Sequence, residues 1–198
     1  ALRLAMRELG SSQGVPGGST LATQIEKYRH SPGGITDSPR EKLRQMLGAS
    51  LRAYSRGPHT YEQRRRTITE FLNSVPLAGQ VGFGEVVGLG EGLWAWYGTP
   101  FERANALLRS APADDLERLE QARVYRQVLS LLVAQRRPSA YLARPDGHRR
   151  LAALTDAYLE LLGRDRVIPK GLAEALARPR HILRVPASLD AVAEVVRG

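Results

Sequence analysis

Apolar positions along this chain recur mainly at helical spacing, and no stretch alternates in the way a half-buried strand would. Residues 19–28 read as a helix following Gly17-Gly18, with Leu21, Ile25 and Tyr28 as its apolar stripe. A loop at Ser31-Pro32-Gly33-Gly34 ends it. Ser38-Pro39-Arg40-Glu41 is a capping-box start with proline at the first helical position, which opens a helix to about Tyr54. That helix is expected to bury Leu43, Met46, Leu47 and Leu51. Arg56-Gly57-Pro58 breaks the chain, and a further helix runs from about Tyr61 to Asn73 and stops before Pro76. Residues 79–92 are glycine-rich and read as a loop with short turns. Helices at roughly 115–136, 146–162, 170–177 and 187–197 complete the pattern, which predicts an all-α fold without repeats. Ala111-Pro112 and Pro179 are the sub-boundaries the pattern offers.

Composition narrows the picture little until charge is considered. A length of 198 residues suits one well-packed domain with a tail, and 42% hydrophobic content is ordinary for a folded chain. The absence of cysteine excludes disulfides, thiol catalysis and thiolate metal sites. No apolar run approaches the roughly 18–20 residues that span a bilayer. The chain opens at Ala1 inside what reads as a helix (Leu2, Leu4, Ala5, Met6, Leu9), so it is taken as an excised segment whose anchor or export signal would lie upstream. The net charge of +9 points to an anionic partner such as nucleic acid, a phospholipid headgroup or a phosphorylated substrate. Only three of the 29 basic residues are lysine, at Lys27, Lys42 and Lys170. A compact, rotatable ammonium does what a planar guanidinium cannot, so these lysines are candidates for chemistry.

Candidate chemistry clusters near the start. Gly17-Gly18-Ser19-Thr20 precedes a helix whose first N–H groups have no internal partner, a ready site for an anion. Thr20, Gln24 and Lys27 share one polar helix face, although a capped surface helix would carry the same pattern. The second helix sets Lys42 and Gln45 three residues apart, with Arg40 and Arg44 near. A solvated basic face reads the same way. Gly82-x-Gly84 and Gly88-x-Gly90-x-Gly92 follow no strand in this reading, so a dinucleotide site is set aside. Glu85 and Glu91 form at best a loose carboxylate pair, and His30, His59, His148 and His181 are isolated from one another.

Residues 17–27, Gly-Gly-Ser-Thr-Leu-Ala-Thr-Gln-Ile-Glu-Lys, resemble the GGST-I-TQQ-L-x-K motif of the family-51 glycosyltransferases. These are the lysozyme-like transglycosylase domains of class A penicillin-binding proteins and their monofunctional relatives. Glu41-Lys42-Leu43-Arg44-Gln45 resembles the family's RKxxE motif, and Thr67-Ile68-Thr69-Glu70-Phe71-Leu72-Asn73 its ILExYLN motif. Trp94-Ala95-Trp96-Tyr97-Gly98 stands where the family has a helix closing in Tyr-Phe-Gly. Pro138-Ser139 to Tyr141 resembles a PSxY turn, Arg149-Arg150-Leu151-Ala152-Ala153-Leu154 an RRxxVL motif, and 163–177 the terminal helical pair. The likeness runs in order over about residues 11–177.

The resemblance implies a lysozyme-like helical domain over 1–178, with 179–198 as an extension or the start of a next segment. It implies polymerisation of lipid II into glycan strands with release of polyprenyl pyrophosphate, at the periplasmic or outer face of the bacterial cytoplasmic membrane. Gly17, Gly18, Ser19, Thr20, Gln24, Lys27, Lys42, Arg44, Gln45 and Asn73 become the substrate-binding candidates. Lys27, Lys42 and Arg44 among them would hold the leaving pyrophosphate, with Arg40 or Arg29 as helpers. The partners implied are lipid II, the growing strand, the membrane surface and a fused or separate transpeptidase, with no nucleic acid. No cofactor is expected, although the family allows a divalent cation, and no metal ligand is assigned. The catalytic glutamate of the family's EDxxF motif has no counterpart in 1–16 and is expected upstream of Ala1. Gln45 replaces the third motif's acid, Glu41 its first basic residue, and Thr69 the fourth motif's glutamate. These departures leave a degenerate lipid II or anionic-lipid scaffold as one alternative, and a basic nucleic-acid-binding helical module as another.

Overall fold

The computed structural model describes residues 20–30, 38–55 and 57–177, with the backbone alone for 27–30. The chain is mostly helical and divides into two compact units that meet in sequence between Leu72 and Asn73. The helix expected at 187–197 lies outside the described residues, as does the expected loop at 31–34.

In the first unit, α1 (Leu21–His30) packs against α2 (Pro39–Ala53), and α3 (Tyr61–Ser74) begins in this unit and ends in the next. Thr20 starts α1 as its cap: the hydroxyl accepts the Thr23 N–H at 3.3 Å, and the Thr20 carbonyl accepts the Gln24 N–H at 3.0 Å. Ser38 does the same for α2, its hydroxyl accepting from the Glu41 N–H at 3.2 Å, with Pro39 at the first turn as expected.

The buried side of α2 is not the expected one. Leu43, Leu47 and Leu51 are 58%, 55% and 74% exposed, Met46 is half-buried, and the buried residues are Gln45 and Ala49. Two faces of this helix have helical spacing, and α1 packs on the one with small side chains. Gln45, Gly48, Ala49 and Arg52 follow i, i+3, i+4, i+7, and a Cβ added at Gly48 would lie 3.1 Å from a Glu26 carboxylate oxygen. A row of leucines would have held the helices farther apart.

The second unit is built around one long helix. A hairpin of β1 (Pro76–Gln80) and β2 (Gly84–Val87) leads into α4 (Gly88–Tyr97), α5 (Phe101–Arg109) and α6 (Asp115–Ala134). Then come α7 (Pro138–Leu142), α8 (Pro145–Arg164) and α9 (Lys170–Leu176). Helices α4, α5, α8 and α9 all pack on α6, and α7 packs on β1 and α8. Leu77, Leu93, Leu131 and Leu142 are among its fully buried side chains, and Ala122, Leu159, Ile168, Ala175 and Leu176 form a further cluster. Burial of such side chains at about 25 cal/mol per Å² of apolar surface is what drives this packing.

Residues 79–92 are therefore a strand end, a turn, a second strand and a helix start rather than a loop. The Gly88-x-Gly90-x-Gly92 series does follow a strand, contrary to expectation. The strand belongs to an antiparallel hairpin, however, and the glycines serve packing. A Cβ at Gly88, whose φ is +82°, would sit 2.6 Å from the Asn73 carbonyl oxygen. One at Gly92 would sit 2.4 Å from Leu77. The short helices α5 and α7 escape the pattern because so few residues carry their burial: Ala104 and Leu107 in one, Leu142 in the other.

A polar network crosses the core of this unit. The Trp96 Nε1–H donates to the Leu77 carbonyl at 2.9 Å, and Thr99 donates to the Gln127 side-chain oxygen at 2.9 Å. Ser130 donates to the Gln127 carbonyl at 2.7 Å and is paired with the Tyr97 hydroxyl. Burial pushes the Tyr97 phenol up from 10.0 to about 12, against the opposing pull of Ser130 and the Arg126 charge. A raised pKa means the neutral phenol stabilises the fold. That stability is whole below pH 10 and lost as pH rises towards 12. Urea unfolding followed by tryptophan fluorescence should therefore weaken more steeply over that window in the wild type than in Tyr97→Phe. Parallel alkaline limbs in the two proteins would remove Tyr97 as the cause.

Candidate functional site

The first unit holds most of the residues singled out in the sequence, and its geometry is set by one ion pair. Glu26 is 2% exposed and faces α2. Arg52 donates to it twice, from Nε to Oε1 at 2.6 Å and from Nη2 to Oε2 at 3.2 Å. A fork-on-carboxylate bond fixes both distance and angle between the helices. Thr20 and Leu21 share a cleft with Ala53 and Tyr54, while Glu26 meets Gly48 and Arg52, so α1 and α2 run antiparallel. Residues before Glu26 on α1 therefore lie toward the C-terminal end of α2, and those after it toward the N-terminal end.

Gly17, Gly18 and Ser19 lie outside the described residues, and Lys27 is described only as a backbone position on α1, one residue past Glu26. Thr20 is exposed, with its hydroxyl engaged in capping. Gln24 is half-buried. Lys42 is half-buried on the first turns of α2, where Arg40 and Arg44 are exposed. Gln45, by contrast, is 1% exposed and faces α1, so its carboxamide belongs to the helix seam. Asn73 is exposed and belongs to the second unit, where its carbonyl crowds Gly88. The first turns of α2 thus carry Arg40, Lys42 and Arg44 near a helix N-terminus, where the dipole favours an anion, with Arg40 and Arg44 on one exposed face and Lys42 round the helix from them.

Beyond the Glu26–Arg52 pair lies a cleft of about 350 Å³. Leu21, Ile25, Ala49, Ala53 and Ile68 form its apolar wall, and Arg52, Arg64, Glu26 and Glu70 supply charge. Sequence reading misses both the cleft and the pair. Glu26 sits between two motif positions, and its only signal is a charge on the side of α1 that packs.

The remaining candidates have structural partners. Glu91 accepts the Val87 N–H at 3.0 Å at the start of α4, which ties it to the hairpin rather than to Glu85. His148 Nε2 lies 2.8 Å from the Leu142 carbonyl. Trp96 is buried, and Trp94 is nearly half exposed. Among the described residues no group of three or more metal-ligating side chains occurs, and no helix is long and apolar enough to cross a membrane. No family model matches the chain, and neither a curated protein nor a solved structure resembles it at a significant level.

Proposed function

We propose that this chain is a divergent peptidoglycan glycosyltransferase domain of lysozyme-like fold, a hexosyltransferase segment that binds the pyrophosphate of lipid II. The observation that carries the reading is the cationic start of α2, with Arg40, Lys42 and Arg44 on its first two turns, on a helix that packs against the Lys27-bearing α1. A pyrophosphate accepts charge-assisted hydrogen bonds from such a cluster, and the bonds strengthen as the leaving group gains charge. The order of the motif-like segments over residues 11–177 supports the same reading. The mostly helical architecture is compatible with it.

The roles divide among few residues. Lys27, Lys42 and Arg44 hold the donor pyrophosphate, Gln24 lines its approach, and the general base comes from a glutamate upstream of Ala1; Thr20, assigned to the substrate from the sequence, lies instead in the cleft with Ala53 and Tyr54. The partners are the growing glycan strand, the outer surface of the cytoplasmic membrane and a transpeptidase. The chain by itself binds lipid II without polymerising it.

The test is lipid II binding by this chain, with Lys42→Ala and Lys27→Ala as variants. Each is expected to weaken binding by about tenfold, the scale of one charge-assisted hydrogen bond. Extended upstream to include Glu-Asp-x-x-Phe, the chain should polymerise lipid II and lose that activity with either variant. Unchanged binding in both lysine variants would sink the reading. Retained binding without polymer in the extended chain would favour the non-catalytic scaffold. The buried Gln45, neutral where the resembling motif has an acid, favours that second outcome.

A further inference from the structure

The cleft beside the Glu26–Arg52 pair is separate from the cationic start of α2: Arg52 lies eight positions along the helix from Arg44, a rise of about 12 Å. Its volume of about 350 Å³ falls in the range of small-molecule sites, and its walls are mainly aliphatic. Its charged groups are unequal in what they still offer. Glu26 is neutralised by Arg52, and Glu70 is itself partnered. Arg52 spends Nε and Nη2 on Glu26, which leaves Nη1 without an acceptor among the described residues. Arg64 makes no side-chain hydrogen bond or ion pair among the described residues, whereas its neighbour Arg65 pairs with Glu62. The guanidinium groups of Arg52 and Arg64 are therefore the charged donors of the cleft with capacity to spare among the described residues. Leu21, Tyr54 and Ile68, all partly exposed, are the apolar members of the lining nearest solvent.

We infer that this cleft binds an anionic single-chain amphiphile, with the aliphatic tail against Ile25, Ala49, Ala53 and Ile68 and the headgroup on Arg64 and the Arg52 Nη1. A head that is anionic and rich in acceptors completes both guanidinium groups without disturbing the Glu26 fork. A tail without polar atoms suits the aliphatic part of the lining, Ile25, Ala49, Ala53 and Ile68, beside which Thr60, Gln63 and Thr67 also contribute. The site goes beyond the transferase reading and does not rest on it, because it uses none of Lys27, Lys42 or Arg44.

The experiment is calorimetric titration of the whole chain with monomeric dodecyl phosphate, and separately with inorganic phosphate and dodecyl maltoside. Dodecyl phosphate is expected to bind, with inorganic phosphate and the maltoside each at least about tenfold weaker, since each lacks one half of the ligand. Arg64→Gln should weaken binding by about tenfold, while Arg66→Gln, which removes the same charge from the same helix outside the cleft, should leave it near the wild type. Ala53→Trp, which fills the cleft, should abolish it, and the surface variant Arg64→Gln keeps the test alive if Ala53→Trp does not fold. Vesicles separate the two sources of such a ligand. Retention on vesicles containing lysophosphatidylglycerol, lost in Arg64→Gln, identifies a membrane lipid; binding of the monomer alone identifies a free amphiphile. Equal effects of Arg64→Gln and Arg66→Gln would overturn the inference, as would inorganic phosphate binding as tightly as its alkyl ester.

Discussion

Gly147→Ala is expected to destabilise the second unit severely, although it adds a single methyl group. A Cβ at position 147 would fall 1.8 Å from the Ala140 carbonyl oxygen and 2.9 Å from the Tyr141 Cα. Both obstacles are backbone, so no rotamer change relieves them. Gly147 is buried in the first turn of α8, and α7 lies directly against it. Relief would require parting the two helices and stripping Leu142 and Leu151 of their contacts. The cost should be at least ~3 kcal/mol, at the upper end for overpacking. Urea unfolding followed by the fluorescence of Trp94 and Trp96, which both belong to this unit, measures it directly. A shift of the midpoint equivalent to less than about 1 kcal/mol would mean that α7 is held far more loosely than its packing indicates.

The second large effect belongs to the pair that joins α1 to α2. Arg52→Ala should destabilise the first unit by about 3 kcal/mol, the lower end for breaking a buried pair, because the Glu26 carboxylate loses both bonds of the Arg52 fork while Arg52 itself is half exposed and water can replace part of what it gives. The damage comes from what is left behind rather than from the arginine lost. Converting both residues to apolar ones, as Glu26→Met with Arg52→Leu, should recover most of the stability, since no charge then needs a partner. Amide hydrogen exchange over α1 and α2 is the measurement, as the unit contains no tryptophan. If the double variant exchanges as fast as Arg52→Ala alone, the carboxylate is not the source of the loss. Lipid II binding in the double variant would then report separately on whether fixing the helix pair matters to the cationic end of α2.

The two sites differ in how far the sequence announces them. Helices expected at 38–54, 61–73, 115–136, 146–162 and 170–177 are present within two residues at each end, because Ser38-Pro39, Asp114 and Pro145 punctuate the chain locally. Which face a helix buries is a different matter. Spacing marks the Leu43–Leu47–Leu51 face of α2 as clearly as the Gln45–Gly48–Ala49–Arg52 face, and only the approach of Glu26 decides between them. The hairpin at 76–87 is hidden for a related reason: Leu77 and Val86 are its buried anchors, and glycine occupies the places where alternation would show. The candidate site is legible as residue types around Lys42, since charge and helix start are local properties. The seam that orders it, Glu26 to Arg52, spans 26 residues of sequence and leaves no periodic trace.

Helix α6 has a consequence for how the second unit reaches its fold. Arg126, Gln127 and Ser130 are buried along it, and their partners come from everywhere else. Arg126 reaches Asp156 on α8 and the Leu176 carbonyl at the end of α9, 50 residues away; Gln127 takes Thr99, and Ser130 takes Tyr97. Leucine and alanine alone would let a neighbouring helix slide by a turn at small cost. Three fixed polar groups tolerate only the register in which all their partners arrive. Early docking of any one helix on α6 therefore gains little, and the rewards come together at the end. Unit two should fold slowly for a helical body of its size, in a single late step, and open as a whole rather than one helix at a time.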